Sequence, residues 1–219
     1  MTYCVRQMCQ EDISQVAEID RESFPSLWPP VNYQRELQNV LAHYLIACDE
    51  DRHVEPAAAH TSGAGVSAVV ARVRQWFSPS RSPAKEVPAT PRQYIVGFTG
   101  TWIVAGEAHI INIAVRELYR RQGIGELLLI STIDLAMSLK AHIVMLEVRA
   151  SNTAAQALYR KYGFSQVGIR RGYYIDNKED AILMSTEDIS SALFQQRLEQ
   201  LRQAHSRKPG IALYRTGDC

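Results

Sequence analysis

The chain of 219 residues has almost no charge imbalance: 24 Lys and Arg stand against 23 Asp and Glu, a formal net charge of +1. Without a broad field of one sign, nothing in the composition would hold it on nucleic acid or on an acidic lipid surface, and any anion it binds must be gripped locally. Cysteine is scarce as well. Cys4, Cys9, Cys48 and Cys219 form no CxxC pair and no His stands at ligand spacing, which argues against a structural zinc site and leaves free thiols in a reducing compartment as the expectation. No apolar run approaches the roughly 20 residues that span a bilayer, and the first residues, Met1 to Met8, lack the basic start and apolar stretch of a secretory leader. The expectation is a cytoplasmic protein with no metal, no membrane contact and no direct contact with nucleic acid.

What is present suits one ordinary domain. With 46% hydrophobic residues, a chain of this length can remove roughly 70% of its unfolded surface from water, so a core forms without staples. Tyr3 to Met8 has the pattern of a first strand. Glu11-Asp12 opens a helix carrying Ile13, Val16, Ala17 and Phe24 until Pro25 ends it, a second helix follows Pro30, and His43 to Cys48 predicts a buried strand. Residues 49–92 change character, crowded with Pro, Ser, Ala and Gly in the manner of an insertion. Within it Val66, Val69, Val70, Val73, Trp76 and Phe77 share one helical face, which packs on its own domain or meets a partner or membrane surface.

From Gln93 the pattern becomes dense. Tyr94 to Trp102 and Ala108 to Val115 predict strands, Ile124 to Leu139 a helix, Ile143 to Val148 a strand, and Thr153 to Tyr162 a helix closed by Gly163. Two more strands, around Phe164 to Tyr174 and Ala181 to Met184, complete a mixed sheet of an α/β chain. Asp188 to Arg202 places Ile189, Leu193, Phe194, Leu198 and Leu201 on one side of a terminal helix, and the tail from Ser206 is loose. There is no internal repeat.

The most informative stretch is Arg120-Arg121-Gln122-Gly123-Ile124-Gly125, between a strand and the start of a helix. A diphosphate needs several N–H donors aimed at one place, and a helix N-terminus supplies unsatisfied donors at the positive end of its dipole. Glycines at 123 and 125 let a ligand approach the backbone with no Cβ in the way. A dinucleotide fingerprint would place a third glycine where Leu128 stands, and the Gly-Lys-Ser/Thr of a P-loop is absent. The plain alternative is a glycine-containing turn with solvated arginines.

Glu147 interrupts the apolar run Ile143-Val144-Met145-Leu146 and precedes Val148. In a strand buried on both faces an ionised carboxylate is costly unless it sits at an opening, pairs, or titrates upward, the conditions that make a general base. Its structural alternative is a pair with Arg149 or another arginine at the strand end. Tyr159 follows Asn152 by two helical turns, so both can point the same way. A phenol with pKa about 10 can protonate a leaving thiolate whose conjugate acid lies near 8.5, or the ring can simply fill the core.

Together these residues resemble the GNAT acetyltransferases, whose acyl-coenzyme A motif Gln/Arg-x-x-Gly-x-Gly/Ala is matched by Arg120-x-x-Gly123-x-Gly125. Asn112-Ile113-Ala114-Val115, Leu146-Glu147-Val148-Arg149-Ala150-Ser151-Asn152, Leu158-Tyr159 with Gly163-Phe164, and Tyr173-Tyr174 before Glu179-Asp180-Ala181 are similar, in order, to the branch that acetylates the N-terminal alanine of a ribosomal protein. The likeness is tight over about residues 94–185 and loose over 3–48. It implies a GNAT fold, a mixed and mostly antiparallel sheet flanked by helices, with the domain at 1–187, the insertion at 49–92 and a helical extension with a loose tail at 188–219.

The resemblance also implies roles. Ile113, Ala114 and Val115 would pair through their backbone with the pantetheine arm of acetyl-coenzyme A, and a backbone N–H there would stabilise the tetrahedral oxyanion. Arg120, Arg121, Gln122, Gly123, Ile124, Gly125 and Glu126 would hold the pyrophosphate, and Asn152 would touch the cofactor. Glu147 is similar to the family's general base and Tyr159 to its general acid. Phe24, Tyr173 and Tyr174 resemble a rim for a protein N-terminus, with no metal involved. Two departures bear on the acceptor: the usual Phe-Pro-Trp reads Phe24-Pro25-Ser26-Leu27-Trp28-Pro29, and compact members lack the insertion. A broader N-terminal acetyltransferase, a small-molecule amine acetyltransferase and a non-catalytic acyl-coenzyme A binding regulator are the alternatives.

Overall fold

The computed structural model describes residues 2–25, 30–54 and 92–207. The helix expected over Val66 to Phe77, the segment Ser26 to Pro29 and the tail beyond Arg207 lie outside the described residues. In chain order the elements are β1 (Tyr3–Gln7), α1 (Ile13–Ser23), α2 (Tyr33–Glu36), β2 (Ala42–Val54), β3 (Arg92–Val104), β4 (Glu107–Val115), α3 (Ile124–Ser138), β5 (Ile143–Arg149), α4 (Thr153–Lys161), β6 (Ser165–Arg170), β7 (Ala181–Ser185) and α5 (Ala192–Ser206). One seven-stranded sheet runs β1-β2-β3-β4-β5-β7-β6. Its described pairings are antiparallel except that of β4 with β5. The composition change at residue 49 does not end a strand, since β2 continues to Val54 and pairs with β3 as far as Arg92.

The helices divide between the two faces. On one, Val16 and Ile19 of α1 and Tyr33 of α2 pack against Ile46, Phe98 and Ala114. Arg6 fastens α1 to the first strand by gripping both oxygens of Asp12, at 2.7 and 3.0 Å. On the other face α3 covers Val5, Leu45 and Val96, then continues with α4 and α5 over Val144, Leu146 and Val148 of β5. Because α5 lies on its outer side, α3 is apolar nearly all round, the pattern of a helix enclosed in a core. Among the described residues, no helix lies on the first face of the C-terminal half of the sheet.

Two expectations change. The last helix begins at Ala192, where the Ser191 side chain caps it by accepting the Phe194 N–H at 3.2 Å, so Ile189 is buried ahead of the helix and Leu193 faces solvent. Cys4 and Cys48 are buried free thiols facing each other across β1 and β2, whereas Cys9 is disulfide-bonded rather than free.

Candidate active site

β4 and β5 run parallel only from Glu107↔Ile143 to Ile110↔Leu146. Beyond that point, among the described residues, β4 continues with β3 alone and β5 with β7 alone, so the sheet opens into a fork. A bulge causes the divergence. Thr101 opposes Ile110 while Gly100 opposes Asn112, leaving Ile111 as the extra residue. One inserted residue exchanges the faces of all that follow. Ala108 and Ile110 point to α3, whereas Ala114 points to α1 and α2, and Ile113 and Val115 now face α3.

Past the bulge β4 therefore offers one backbone edge to the fork. Successive residues of a strand direct their N–H and C=O to opposite edges. Ile113, Ala114 and Val115 cannot all address a ligand arm lying there: either the outer two do so or Ala114 does alone. The Val115 carbonyl already accepts from Arg120 Nε at 3.2 Å.

Glu147 is the first residue of β5 beyond the last parallel pair, on the face opposite α3, α4 and α5. Its Oε2 lies 2.5 Å from His109 Nε2, and its Oε1 lies 3.0 Å from Arg170 Nη2. The side chain is 9% exposed and flanked by partly open cationic or titratable groups. Arg149, considered from the sequence as its partner, instead pairs with Asp176 at 2.9 Å and Glu179 at 3.3 Å, its guanidinium 3.9 Å from the Tyr174 ring centre. An arginine does hold Glu147, but it comes from β6. Sequence reasoning missed both His109 and Arg170, because each belongs to another strand and acquires its meaning only through the register.

The turn at 120–126 is built by its side chains and leaves its backbone outward. Arg120 binds Val115, Gln122 accepts from Tyr3 Oη at 2.7 Å and donates to the Leu118 carbonyl at 3.0 Å, and Ile124 is buried. Glu126 is turned inward, accepting from Tyr162 Oη at 2.8 Å and pairing with Lys161. These side chains brace the loop, so an anion would meet N–H groups of 121–126 and the exposed Arg121. Gly123, the N-cap of α3, has φ +88°, and Arg121 is also left-handed at φ +64°. A Cβ on Gly125 would have Val115 Cγ2 at 3.8 Å as its nearest neighbour, which is ordinary contact. The protein's own packing does not require glycine there; the bare position keeps open the space before the helix N-terminus.

Asn152 and Tyr159 do not share a direction. Asn152 is the N-cap of α4, outside its helical residues, with its side-chain oxygen accepting the Ala155 N–H at 3.1 Å. Only its amide NH2 remains to meet a cofactor. Tyr159 is 5% exposed and packs at 5.7 Å between ring centres against Phe164. Burial, with a smaller effect of Tyr174, raises its pKa well above that of a free phenol. It belongs to the α3 and α4 side of the sheet, Glu147 to the opposite side, and the fork lies between them.

The three rim residues fall in two groups. Phe24 closes α1 and packs with the α1–α2 cluster. Tyr173 and Tyr174 meet edge to face at 5.2 Å beyond β6, and Arg170 links Tyr173, 5.6 Å from its ring centre, to Glu147. Burial pushes the Tyr174 hydroxyl up to about 12 although Arg149 opposes the shift.

A forked sheet with a glycine turn at the adjoining helix and a carboxylate at the branch point suits an enzyme that lays an extended acyl carrier into the fork. Residues 72–164 match the model of the Acetyltransferase (GNAT) family. A Bacillus subtilis protein, provisionally described as a ribosomal protein bS18-alanine N-acetyltransferase, is 35% identical over 181 residues, 82% of this chain and 92% of that one. The N-alpha-acetyltransferase of Sulfurisphaera tokodaii is 30% identical over 84% of this chain and 92% of its own length. Among solved structures, the ribosomal-protein-S18-alanine N-acetyltransferase from Escherichia coli superposes with a TM-score of 0.61 at 25% identity, covering 85% of this chain and 94% of that one. The chain belongs to the GNAT acetyltransferase family, and it is an N-acetyltransferase with acetyl-coenzyme A as donor. Among the described residues no helix is long and apolar enough to cross a membrane, and no group of three His, Cys, Asp or Glu side chains is placed to hold a metal.

Proposed function

We propose that the chain acetylates the N-terminal α-amine of a protein, with the N-terminal alanine of ribosomal protein bS18 as its preferred acceptor. The observation that carries this is the position of Glu147, at the branch of the fork and on the sheet face that no helix covers among the described residues. An acceptor reaches the fork from that face, between Phe24 on one side and Tyr173 on the other. Glu147, oriented by His109 and Arg170, takes a proton from the amine directly or through water. An N-terminal ammonium has pKa about 7.7–8.0, so a modest base suffices, whereas a lysine ε-ammonium near 10.4 is harder to deprotonate.

The free amine attacks the thioester carbonyl, a backbone N–H of β4 past the bulge holds the oxyanion, and the positively charged nitrogen of the adduct releases its second proton to water. Collapse breaks the C–S bond, and Tyr159, on the opposite side of the fork, donates its proton to the departing thiolate. The turn 121–126 holds the coenzyme A diphosphate by its N–H groups. Names of the relatives support the alanine acceptor, while the archaeal relative supports a broader choice of N-termini with the same chemistry.

The test is a panel of peptides that differ in their first residue, incubated with enzyme and acetyl-coenzyme A, beside a peptide with a blocked N-terminus and one free lysine. Preference for Ala at the first position supports the bS18 reading, and equal use of several residues supports the broad one. Transfer to small amines or to lysine alone, or no transfer at all, would overturn both.

A further inference from the structure

α5 reaches the diphosphate turn itself. His205, one residue from the end of this helix and 3% exposed, has Nε2 at 3.0 Å from the carbonyl oxygen of Gly123. A carbonyl can only accept, so Nε2 carries the proton. The same carbonyl accepts the Leu127 N–H at 2.9 Å as the first bond of α3. Glu126 Oε2 lies 3.8 Å from the ring nitrogen, and the other oxygen of Glu126 is held by Tyr162 and Lys161. The helix that brings His205 here is fixed independently, by Phe194 and Leu198 in the core and by Arg202 paired with Asp134 of α3.

Geometry gives this contact a consequence for binding. A trans peptide points its C=O and the next N–H in opposite directions. Holding the Gly123 carbonyl toward α5 therefore aims the Ile124 N–H away from it, and fixes the left-handed Gly123 that starts the row of open donors. Gly123 has the most freedom to rotate out of that conformation.

We propose that His205 is a positioning residue for coenzyme A: by gripping the Gly123 carbonyl it presets the diphosphate turn, so that the C-terminal helix sets affinity for the donor. The proposal rests on the reading that the turn 121–126 holds the diphosphate. His205 touches neither substrate, and its effect belongs to binding rather than to the chemical step.

The experiment compares wild type, His205→Leu, which fills the space without a donor, and His205→Gln, which restores an N–H at similar reach. Calorimetry gives coenzyme A affinity, and steady-state assays give KM and kcat with acetyl-coenzyme A and with acetyl-pantetheine, which has no diphosphate. His205→Leu should weaken coenzyme A about five- to tenfold, the size of one lost hydrogen bond, with kcat at saturation and kcat/KM for acetyl-pantetheine unchanged. His205→Gln should recover most of the affinity. Should His205→Leu fail to fold, His205→Met takes its place as the non-donor. Unchanged coenzyme A affinity in the non-donor, an equal loss with acetyl-pantetheine, or a glutamine variant as weak as the non-donor would each overturn the proposal. Gly125→Glu in the same titration separates the two readings. If it binds coenzyme A like wild type, the site assignment itself falls; if it abolishes binding while the non-donor binds normally, only the role of His205 falls.

Discussion

At the scale of single residues, the proposed mechanism divides one reaction between Glu147 and Tyr159, on the two sides of the fork. Glu147→Gln keeps the shape and removes the base, so turnover should fall by about 10²–10⁴-fold while calorimetric affinity for coenzyme A is nearly kept. A folded Glu147→Gln enzyme with wild-type turnover from pH 6 to 9 would end that assignment. Tyr159 is so deeply buried that core filling alone would account for its presence. Tyr159→Phe retains ring and packing, so if it only fills space both melting temperature and rate stay normal; as the proton donor it loses rate alone. Desolvation raises its pKa and keeps the phenol protonated, and the departing thiolate would feel the same desolvation. Single-turnover rates should drop, with no change in coenzyme A affinity. Glu147 was legible in the sequence because a charge inside an apolar strand demands a reason. His109 was not, since it stands in a strand of ordinary alternation and meets Glu147 only through the parallel register.

At the scale of elements, the glycine turn was readable and the fork was not. Gly123 and Gly125 between a strand and a helix carry a local signal. The bulge at Ile111 does not, because burial along β4 keeps alternating: Ala108 and Ile110 are buried against α3, then Asn112 and Ala114 on the opposite face. The faces exchange while the period stays intact, and a one-dimensional pattern cannot record which face is meant. The shared direction expected for Asn152 and Tyr159 was misjudged for a related reason, since helical spacing was counted from a residue that caps the helix from outside. The connection from β6 to β7, which carries Tyr173 and Tyr174, makes its own prediction. Glu179 is held at a pKa of about 2 by its hydrogen bonds to Ser151, with Asn177 and Arg149 adding to them. A carboxylate with a folded-state pKa below its usual 4.5 contributes stability that is complete above pH 4.5 and is lost as pH falls toward 2. Glu179→Gln should lower the urea midpoint at pH 7, and its gap from wild type should close progressively below pH 4.5. A gap that stays constant from pH 7 to pH 2.5 would show that the charge of Glu179 holds nothing.

At the scale of the whole molecule, the terminal helix is part of the core rather than an appendage, although its sequence reads as an extension. Phe194 and Leu198 are buried with Val144, Leu146, Tyr162 and Met184, and Phe194 lies close enough to Gly163 that a Cβ there would come within 3.1 Å of its ring. α5 thus closes the layer over α3 and α4 and, through His205, reaches the turn that begins α3. If the core were complete without it, truncating these side chains would matter little. If α5 seals the core, Phe194→Ala should cost about 3–5 kcal/mol and Leu198→Ala about 2–5 kcal/mol, a lost transfer contribution plus a cavity. Leu193 is the control on the same turn of helix: it is 70% exposed, so Leu193→Ala should stay within about 0.5 kcal/mol. Urea unfolding of the three variants measures this directly, through midpoints at unchanged m-value. Equal, small shifts for all three would place α5 outside the cooperative core. A large loss at 194 and 198 with none at 193 would tie the folding of the catalytic half to its last helix, because the residues that α5 covers on β5 lie on the reverse side of the strand that presents Glu147.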